Sequence, residues 1–316
     1  MKKIVYVTGC LGFIGMHVTR ACLSRGWQVI GVDKCTYASN QWVLDEFLKQ
    51  ANFKWIKSDI NDLERLYDCD YVINTAAETH VDNSIVNSDA FVRSNVNGVH
   101  HLLKLVMSKN LFRMPTFLHF STDEVYGDIA TGSHVETDLL KPSNPYSATK
   151  SAADMLVLAW ARTYNVPYVI VRPTNNYGIG QYVEKLIPKS VKHLSLDRPI
   201  DIHDQGNPIR TWLNAEDTAQ AIMTIIDAGV SNEIYNISGN IELPNRIVIQ
   251  KILSLWFDRS ITDEWINYIT EGRRAGQDVR YSIDDSKLHG LGWRPRADFD
   301  QELAKIVDWY RGNFVW

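Results

Sequence analysis

Apolar residues recur along the first half of the chain in two alternating rhythms. Short, nearly continuous runs at Ile4–Thr8, Gln28–Asp33, Phe53–Ser58, Tyr71–Asn74, Thr116–Ser121 and Val166–Arg172 read as buried strands. Longer stretches with helical spacing lie between them. Over Phe13–Arg25 the residues Ile14, Val18, Ala21 and Cys22 share one face, and Gly26 ends the element. Strands alternating with helices predict parallel βαβ units. Strands apolar at consecutive positions, such as Val169-Ile170-Val171, predict a sheet covered on both faces. The expected fold class is therefore α/β, a doubly wound parallel sheet.

The rhythm changes after Arg172-Pro173. Pro188, Pro199, Pro208 and Pro244 punctuate shorter, less regular elements. We expect residues 1–175 plus about 209–237 to form the larger domain, and about 176–208 plus 238–316 a smaller C-terminal, substrate-binding one. A last helix is expected around Phe299–Tyr310, with Trp309 and Trp316 as packing residues.

Composition removes several functional classes. The 316 residues carry 33 Lys plus Arg against 37 Asp plus Glu, a formal charge of −4 with no dense block of one sign. A nucleic-acid footprint and a polybasic membrane patch are thereby disfavoured. The four cysteines, Cys10, Cys22, Cys35 and Cys69, have no C-x-x-C spacing, so neither a zinc site nor a disulfide framework is expected. The apolar run before Thr8-Gly9 is too short for a signal-peptide core and no stretch is long enough to span a membrane. A cytoplasmic protein is the expectation.

Between the first strand and first helix stands Thr8-Gly9-Cys10-Leu11-Gly12-Phe13-Ile14-Gly15, a G-x-x-G-x-x-G loop. Gly9 permits a tight turn, Gly12 lets backbone approach a pyrophosphate, and Gly15 lets the helix pack close to the strand. The helix N-terminus then offers free N–H groups to the phosphates. Asp33 closes the second strand, where a carboxylate can bind ribose hydroxyls and repel a 2′-phosphate. The loop and acid together predict a Rossmann-type NAD site, with Lys34 blurring the preference over NADP.

Two further motifs bear chemistry. Tyr146-Ser147-Ala148-Thr149-Lys150 is a Y-x-x-x-K pair, one helical turn apart, in which an ammonium favours phenolate. Ser121-Thr122-Asp123-Glu124-Val125-Tyr126-Gly127 places two adjacent carboxylates after a strand, where an open α/β sheet puts its reacting groups. Neighbouring acids held in different protonation states can act as an acid–base couple.

These motifs resemble the extended branch of the short-chain dehydrogenase/reductase superfamily, and within it the nucleotide-sugar 4,6-dehydratases of the dTDP-glucose 4,6-dehydratase kind. The likeness runs through Asn74–Asp82, Pro142–Tyr146, Asn175–Gly178, Glu184–Pro188, Ile209–Leu213 and Arg280–Asp284. Asp123 is the discriminating residue, because related decarboxylases and GDP-mannose dehydratases typically lack it. The resemblance implies a redox-neutral loss of water from an NDP-hexose of the dTDP- or UDP-glucose kind. In it Tyr146 takes the O4 proton with Thr122 and Lys150 beside it, Glu124 removes the C5 proton, and Asp123 protonates the departing O6. Leu11, Phe13, Ile14, Lys34, Asp59, Ile60, Ala76, Ala77 and Asn95 match further cofactor positions. His80, Asn175, Asn176, Lys185, Leu186, His203, Arg210 and Arg274 match positions on the nucleotide-sugar side.

The pattern departs from that family at Asp201-Ile202-His203-Asp204, Arg210-Thr211-Trp212 and Arg274-Ala275-Gly276-Gln277-Asp278, all near the nucleotide. Reaction type is therefore better specified than the base. A 4-epimerase, decarboxylase or sugar dehydrogenase on the same scaffold, and an NAD-sensing protein without activity, are the alternatives. The resemblance also implies a homodimer built from helices around Asp89–Met107 and Tyr146–Tyr164. Ala152, Ala153, Leu156 and Ala159 offer a stripe for that contact or for the sheet of the same chain.

Overall fold

A computed structural model describes residues 2–108, 114–272 and 278–313. Seven parallel strands form the main sheet: β1 (Ile4–Thr8), β2 (Gln28–Asp33), β3 (Phe53–Lys57), β4 (Tyr71–Asn74), β5 (Thr116–Phe120), β6 (Tyr168–Pro173) and β10 (Glu233–Ile237). Their spatial order is β10-β6-β5-β4-β1-β2-β3. The chain thus leaves β1 for β2 and β3 on one side and returns through β4 on the other. That reversal opens a crevice beyond the C-terminal ends of β1 and β4, where doubly wound folds bind ligands.

Side chains alternate across the sheet with the period of two that strands impose. Val5, Val7, Ile73, Leu118, Val169 and Val171 enter one core with the helices Phe13–Ser24 and Ala215–Asp227. Tyr6, Val72, Phe117 and Ile170 enter the other with Gly98–Val106 and Pro145–Tyr164. Ala153 and Val157 pack here, whereas Ala152, Met155 and Ala159 turn outward, so the small-residue stripe is divided between sheet and surface.

The second body is built on β7 (Asn175–Tyr177), β8 (Ile200–His203), β9 (Ile209–Asn214), β11 (Ile241–Pro244) and β12 (Ile269–Gly272). β9 lies between β7 and β11, and β8 pairs with β12. Within residues 209–237, therefore, β10 enters the large sheet while β9 sits in the small one. Its core joins Tyr177, Trp212, Val248, Leu303 and Tyr310 from that small sheet and the helices Asn245–Phe257 and Phe299–Gly312. Trp309 packs on Trp42 and Tyr310, and Trp316 lies outside the described residues. Among the described residues no helix is long and apolar enough to cross a membrane.

Candidate active site

Gly9 takes φ +71°, and a Cβ there would meet Ala76 N at 2.7 Å, so the turn and the strand beyond β4 touch only because Gly9 has no side chain. A Cβ on Gly15 would lie 2.0 Å from the Gly9 carbonyl oxygen. The helix that follows begins at Gly12 without a side-chain cap, which leaves its first N–H groups facing the cleft for a phosphate. Gly9, Gly12, Phe13, Ile14 and Gly15 line this cleft together with Asp33, Lys34, Asp59, Ile60, Ala76 and Ala77.

Asp33 is buried and largely engaged. Its Oδ2 accepts the Leu11 N–H at 3.0 Å, and its Oδ1 accepts the Cys35 N–H at 2.8 Å and the Ser39 hydroxyl at 3.0 Å. Three of roughly four lone-pair sites are used, which leaves room for a ribose hydroxyl. Leu11 is thus an orienting residue in the core, reached through its backbone. Lys34 stands 3.6 Å from Asp59 and 3.5 Å from Glu78, so its charge is already shared between two acids. These features fit an NAD: a glycine turn at an uncapped helix start, an acid where the ribose would lie, and a lysine held back from a 2′-phosphate.

Asn95 lies behind the wall. It sits in a π-helical stretch, Val92–Asn97, a wide turn of the kind that often marks functional sites. Its Oδ1 accepts the Glu78 N–H at 2.9 Å, and its Nδ2 donates to the Glu78 carbonyl and to Thr149 Oγ1, each at 3.0 Å. It braces the segment after Ala77, while its neighbour Ser94 lines the cleft.

The reacting groups stand where this cleft of about 290 Å³ adjoins a second of about 190 Å³. Glu124, Asn175, Asn176 and Lys185 border both. Thr122 caps the short turn Asp123–Tyr126: its Oγ1 accepts the Glu124 N–H at 3.3 Å and donates to Asp123 Oδ1 at 3.1 Å. Asp123 Oδ2 is buried with no hydrogen-bond partner among the described residues. Burial, and then the Glu124 charge, push the Asp123 carboxyl up to about 7, so it holds a proton near neutrality. Glu124 is also raised by burial, but Arg210, Asn144 and Lys185 draw it back toward the ionised form.

The Thr122 hydroxyl favours the Tyr146 phenolate, but burial and then the Glu124 charge raise the phenol far above the ordinary range. Burial and the Glu124 charge thus oppose the phenolate that the pairing with Lys150 is expected to favour. Lys150 is buried, drawn down to about 8 by that burial, and its ammonium donates to the Phe120 carbonyl.

The second cleft collects the residues expected on the substrate side. His80 and His203 flank Asp82, with Nε2 atoms 3.8 and 3.9 Å from its Oδ2. Leu186 lines the cleft, and Lys185 Nζ donates to the Thr79 carbonyl at 2.9 Å. Asn176 Oδ1 accepts the Thr218 hydroxyl at 2.6 Å. Arg210 departs from the open posture expected of a phosphate ligand. It stacks 4.4 Å over Tyr281 and donates to the carbonyls of Ile209, Asp278 and Val279. Arg274 lies outside the described residues. Sequence reasoning missed Asn144, Tyr281 and Asp278. Asn144 before Pro145 carried a helix-start signal, but nothing in sequence announced the contacts of the other two.

The family profile described as GDP-mannose 4,6 dehydratase matches residues 6–306. The dTDP-glucose 4,6-dehydratase of Haemophilus influenzae is 38% identical over 98% of this chain and 98% of its own. A trifunctional Arabidopsis thaliana enzyme, described as UDP-glucose 4,6-dehydratase, 3,5-epimerase and reductase, is 37% identical over 99% of this chain and 48% of its own. The crystal structure of a Streptomyces venezuelae dTDP-glucose 4,6-dehydratase with NAD bound superposes with a TM-score of 0.90 at 34% identity, covering 98% of this chain and 97% of that one.

Proposed function

The chain belongs to the GDP-mannose 4,6-dehydratase family and is an NAD-dependent nucleotide-sugar 4,6-dehydratase; from this premise we propose that its substrate is a pyrimidine nucleoside-diphosphate glucose, dTDP- or UDP-linked, converted to the 4-keto-6-deoxy sugar. The observation that carries the reading is the unequal acid pair. Asp123 is buried with an open Oδ2 and raised to about 7, and Glu124 stands beside the cations that favour its ionised form.

NAD, held by the Gly9–Gly15 turn and Asp33, would supply the reversible hydride-accepting chemistry that a redox-neutral dehydration needs. Tyr146 accepts the O4 proton, with Thr122 hydrogen-bonded to it. Lys150 beneath supplies the positive field that the buried phenol needs to act as a base. The 4-ketone so formed acidifies the C5 proton, which Glu124 removes. Asp123 gives its proton to O6, which leaves as water, Glu124 returns a proton to C5, and the proton taken by Tyr146 passes back to Asp123 to close the cycle. The product is two hydrogens and one oxygen lighter than the substrate, with no net redox change. Lys185, with the His80–Asp82–His203 cluster, faces the space for the nucleoside diphosphate, and Arg210 holds that cleft's wall through Tyr281 and its carbonyl partners.

We infer also a cytoplasmic homodimer. Support for the dimer comes from the outward face of Pro145–Tyr164, where Ala152, Met155 and Ala159 are exposed near Val92 and the same helix carries Tyr146. The deciding experiment incubates the protein and NAD with dTDP-glucose and, separately, UDP-glucose. Loss of one water by mass, with the absorbance that base induces in a 4-keto-6-deoxy sugar, is expected for at least one. Unchanged mass with C4 inversion would instead make the protein an epimerase.

A further inference from the structure

Asp154 lies two helical turns beyond Tyr146 and one beyond Lys150, on the same face of Pro145–Tyr164. It is fully buried and touches neither cleft. Its Oδ2 accepts Arg172 Nε at 3.0 Å and lies 3.0 Å from Nη2, so one carboxylate oxygen holds both nitrogens in a charge-assisted contact. Its Oδ1 faces His119 Nε2 at 3.8 Å, with the Ser121 hydroxyl alongside. His119 is itself fully buried, and burial with the Lys150 and Arg172 charges holds it neutral. Because Asn74 Nδ2 approaches His119 Nδ1 at 3.2 Å, Nδ1 must accept, and the ring proton lies on Nε2 toward Asp154. Arg172 continues outward to the Tyr126 hydroxyl at 2.7 Å.

The helix brings Tyr146, Lys150 and Asp154; β5 brings neutral His119, with Ser121 just beyond its end; the turn that follows brings Asp123, Glu124 and Tyr126; β6 brings Arg172. Asp123 and Glu124 lie on the cleft side of Tyr146, and Asp154 lies on the far side of Lys150. An ammonium this deeply buried loses its proton easily unless a carboxylate supports it. Burial pushes the Asp154 carboxyl up, but the permanent Arg172 charge 3.0 Å away, and after it Lys150, draw it back toward the anion, and that anion in turn supports the Lys150 ammonium.

We propose that Asp154 is the positioning residue that keeps Lys150 protonated, so that the Tyr146 phenol can ionise at neutral pH. Asp154 meets neither substrate nor cofactor; it works through Lys150. The inference rests on the reading of Tyr146 as the base, and its test is built to fail separately from that reading.

The first measurement needs no turnover. The Lys150 Nζ signal is titrated by NMR in nitrogen-labelled-lysine protein and assigned by its absence in Lys150→Arg. In Asp154→Asn the titration is expected to move at least about one pH unit toward acid. The Asp154→Asn/Arg172→Gln double variant removes the ion pair as a neutral unit and should move it in the same direction even if the single variant folds poorly. An unmoved titration in whichever variant folds would overturn the proposal. The second measurement is dehydration rate against pH. The loss caused by Asp154→Asn should be at least about fivefold greater at pH 8.5 than at pH 6.5, following the deprotonation of Lys150. In a Lys150→Arg background the same substitution should cost equally at both pH values, because arginine stays charged unaided. A penalty equal at both pH values in the Lys150 protein would assign Asp154 a structural role only. Absence of dehydration in the unmutated protein would instead overturn the functional reading and leave the NMR result standing.

Discussion

The Asn144 side chain serves Glu124 and the catalytic helix at once. Its Nδ2 stands 3.4 Å from Glu124 Oε2, and its Oδ1 accepts the Ser147 N–H at 2.9 Å, closing a capping box at the start of Pro145–Tyr164. The general base and the Tyr146–Lys150 pair are thus held in register by one amide. Replacing it separates two effects. Asn144→Ala should cost about 1 kcal/mol of stability through the lost cap and raise the Glu124 carboxyl further, so the acid limb of the rate profile moves to higher pH. Asn144→Asp should keep the cap, and with it the melting temperature, while losing rate through repulsion of Glu124. Thermal melts and pH–rate profiles of both variants check this; a rate unaffected in Asn144→Asp would remove Glu124 from the base role.

Asp123 makes a prediction about stability with a definite sign. Its folded value of about 7 lies above the ordinary 3.8. Between those values the unfolded chain ionises while the folded one keeps its proton, so the group weakens the fold as pH rises and the full penalty is present above about 7. Asp123→Asn removes that penalty. The variant should be more stable than the parent at pH 8, by up to roughly 4 kcal/mol, and about equally stable near pH 4. Its dehydration rate should fall by roughly 10²–10⁴. Denaturant melts at the two pH values decide the first point; a variant less stable at pH 8 would show that the carboxyl is not held protonated.

Much of this site is legible in sequence because its signals are local. The glycine loop, Asp33, Tyr146–Lys150 and Thr122-Asp123-Glu124 each lie within a few residues, and period and spacing place each on a strand end or helix start. What escapes notice depends on contacts between distant segments. Asp154 gains its meaning from Arg172 and His119 on two other strands. Arg210 matches a phosphate-binding position, yet its guanidinium is turned onto Tyr281 and the carbonyls of Asp278 and Val279, across a long stretch of chain. β9 has the pattern of another buried strand, and only its pairing with β7 and β11 shows that it serves the smaller sheet.

The three glycines of the phosphate loop should not be equivalent. A Cβ on Gly15 would press to 2.0 Å from the Gly9 oxygen and 2.6 Å from Thr75 Oγ1, whereas one on Gly12 meets only the Gly9 oxygen, at 3.1 Å. Gly15→Ala must therefore push the helix off the strand, at about 1–3 kcal/mol. Gly12→Ala should leave the unliganded fold nearly intact but hinder the backbone from reaching a pyrophosphate. Melting temperatures without NAD, set against NAD affinity by titration, distinguish the two. Equal losses of stability would contradict the packing at this turn.

Cofactor choice follows from the pairing of Lys34. In many sites a lysine after the strand-end acid would welcome a 2′-phosphate, but here Lys34 lies within 3.6 Å of Asp59 and 3.5 Å of Glu78. Replacing Asp33 alone should therefore not convert the protein to NADP. It would also strip the acceptor from the Leu11 and Cys35 N–H groups and from Ser39, so Asp33→Ser should weaken NAD without a matching gain for NADP. Freeing the lysine as well, with Asp59→Asn and Glu78→Gln, should produce the gain, because an unpaired ammonium then faces the added phosphate charge. The ratio of NADP to NAD affinity is expected to rise at least about tenfold from the single to the triple variant, a shift of about 1.4 kcal/mol. Titrations of each variant with both nucleotides, at one fixed ionic strength since the contact is partly exposed, provide the measurement. A full switch in Asp33→Ser by itself would show that Lys34 is not restrained by its two acids.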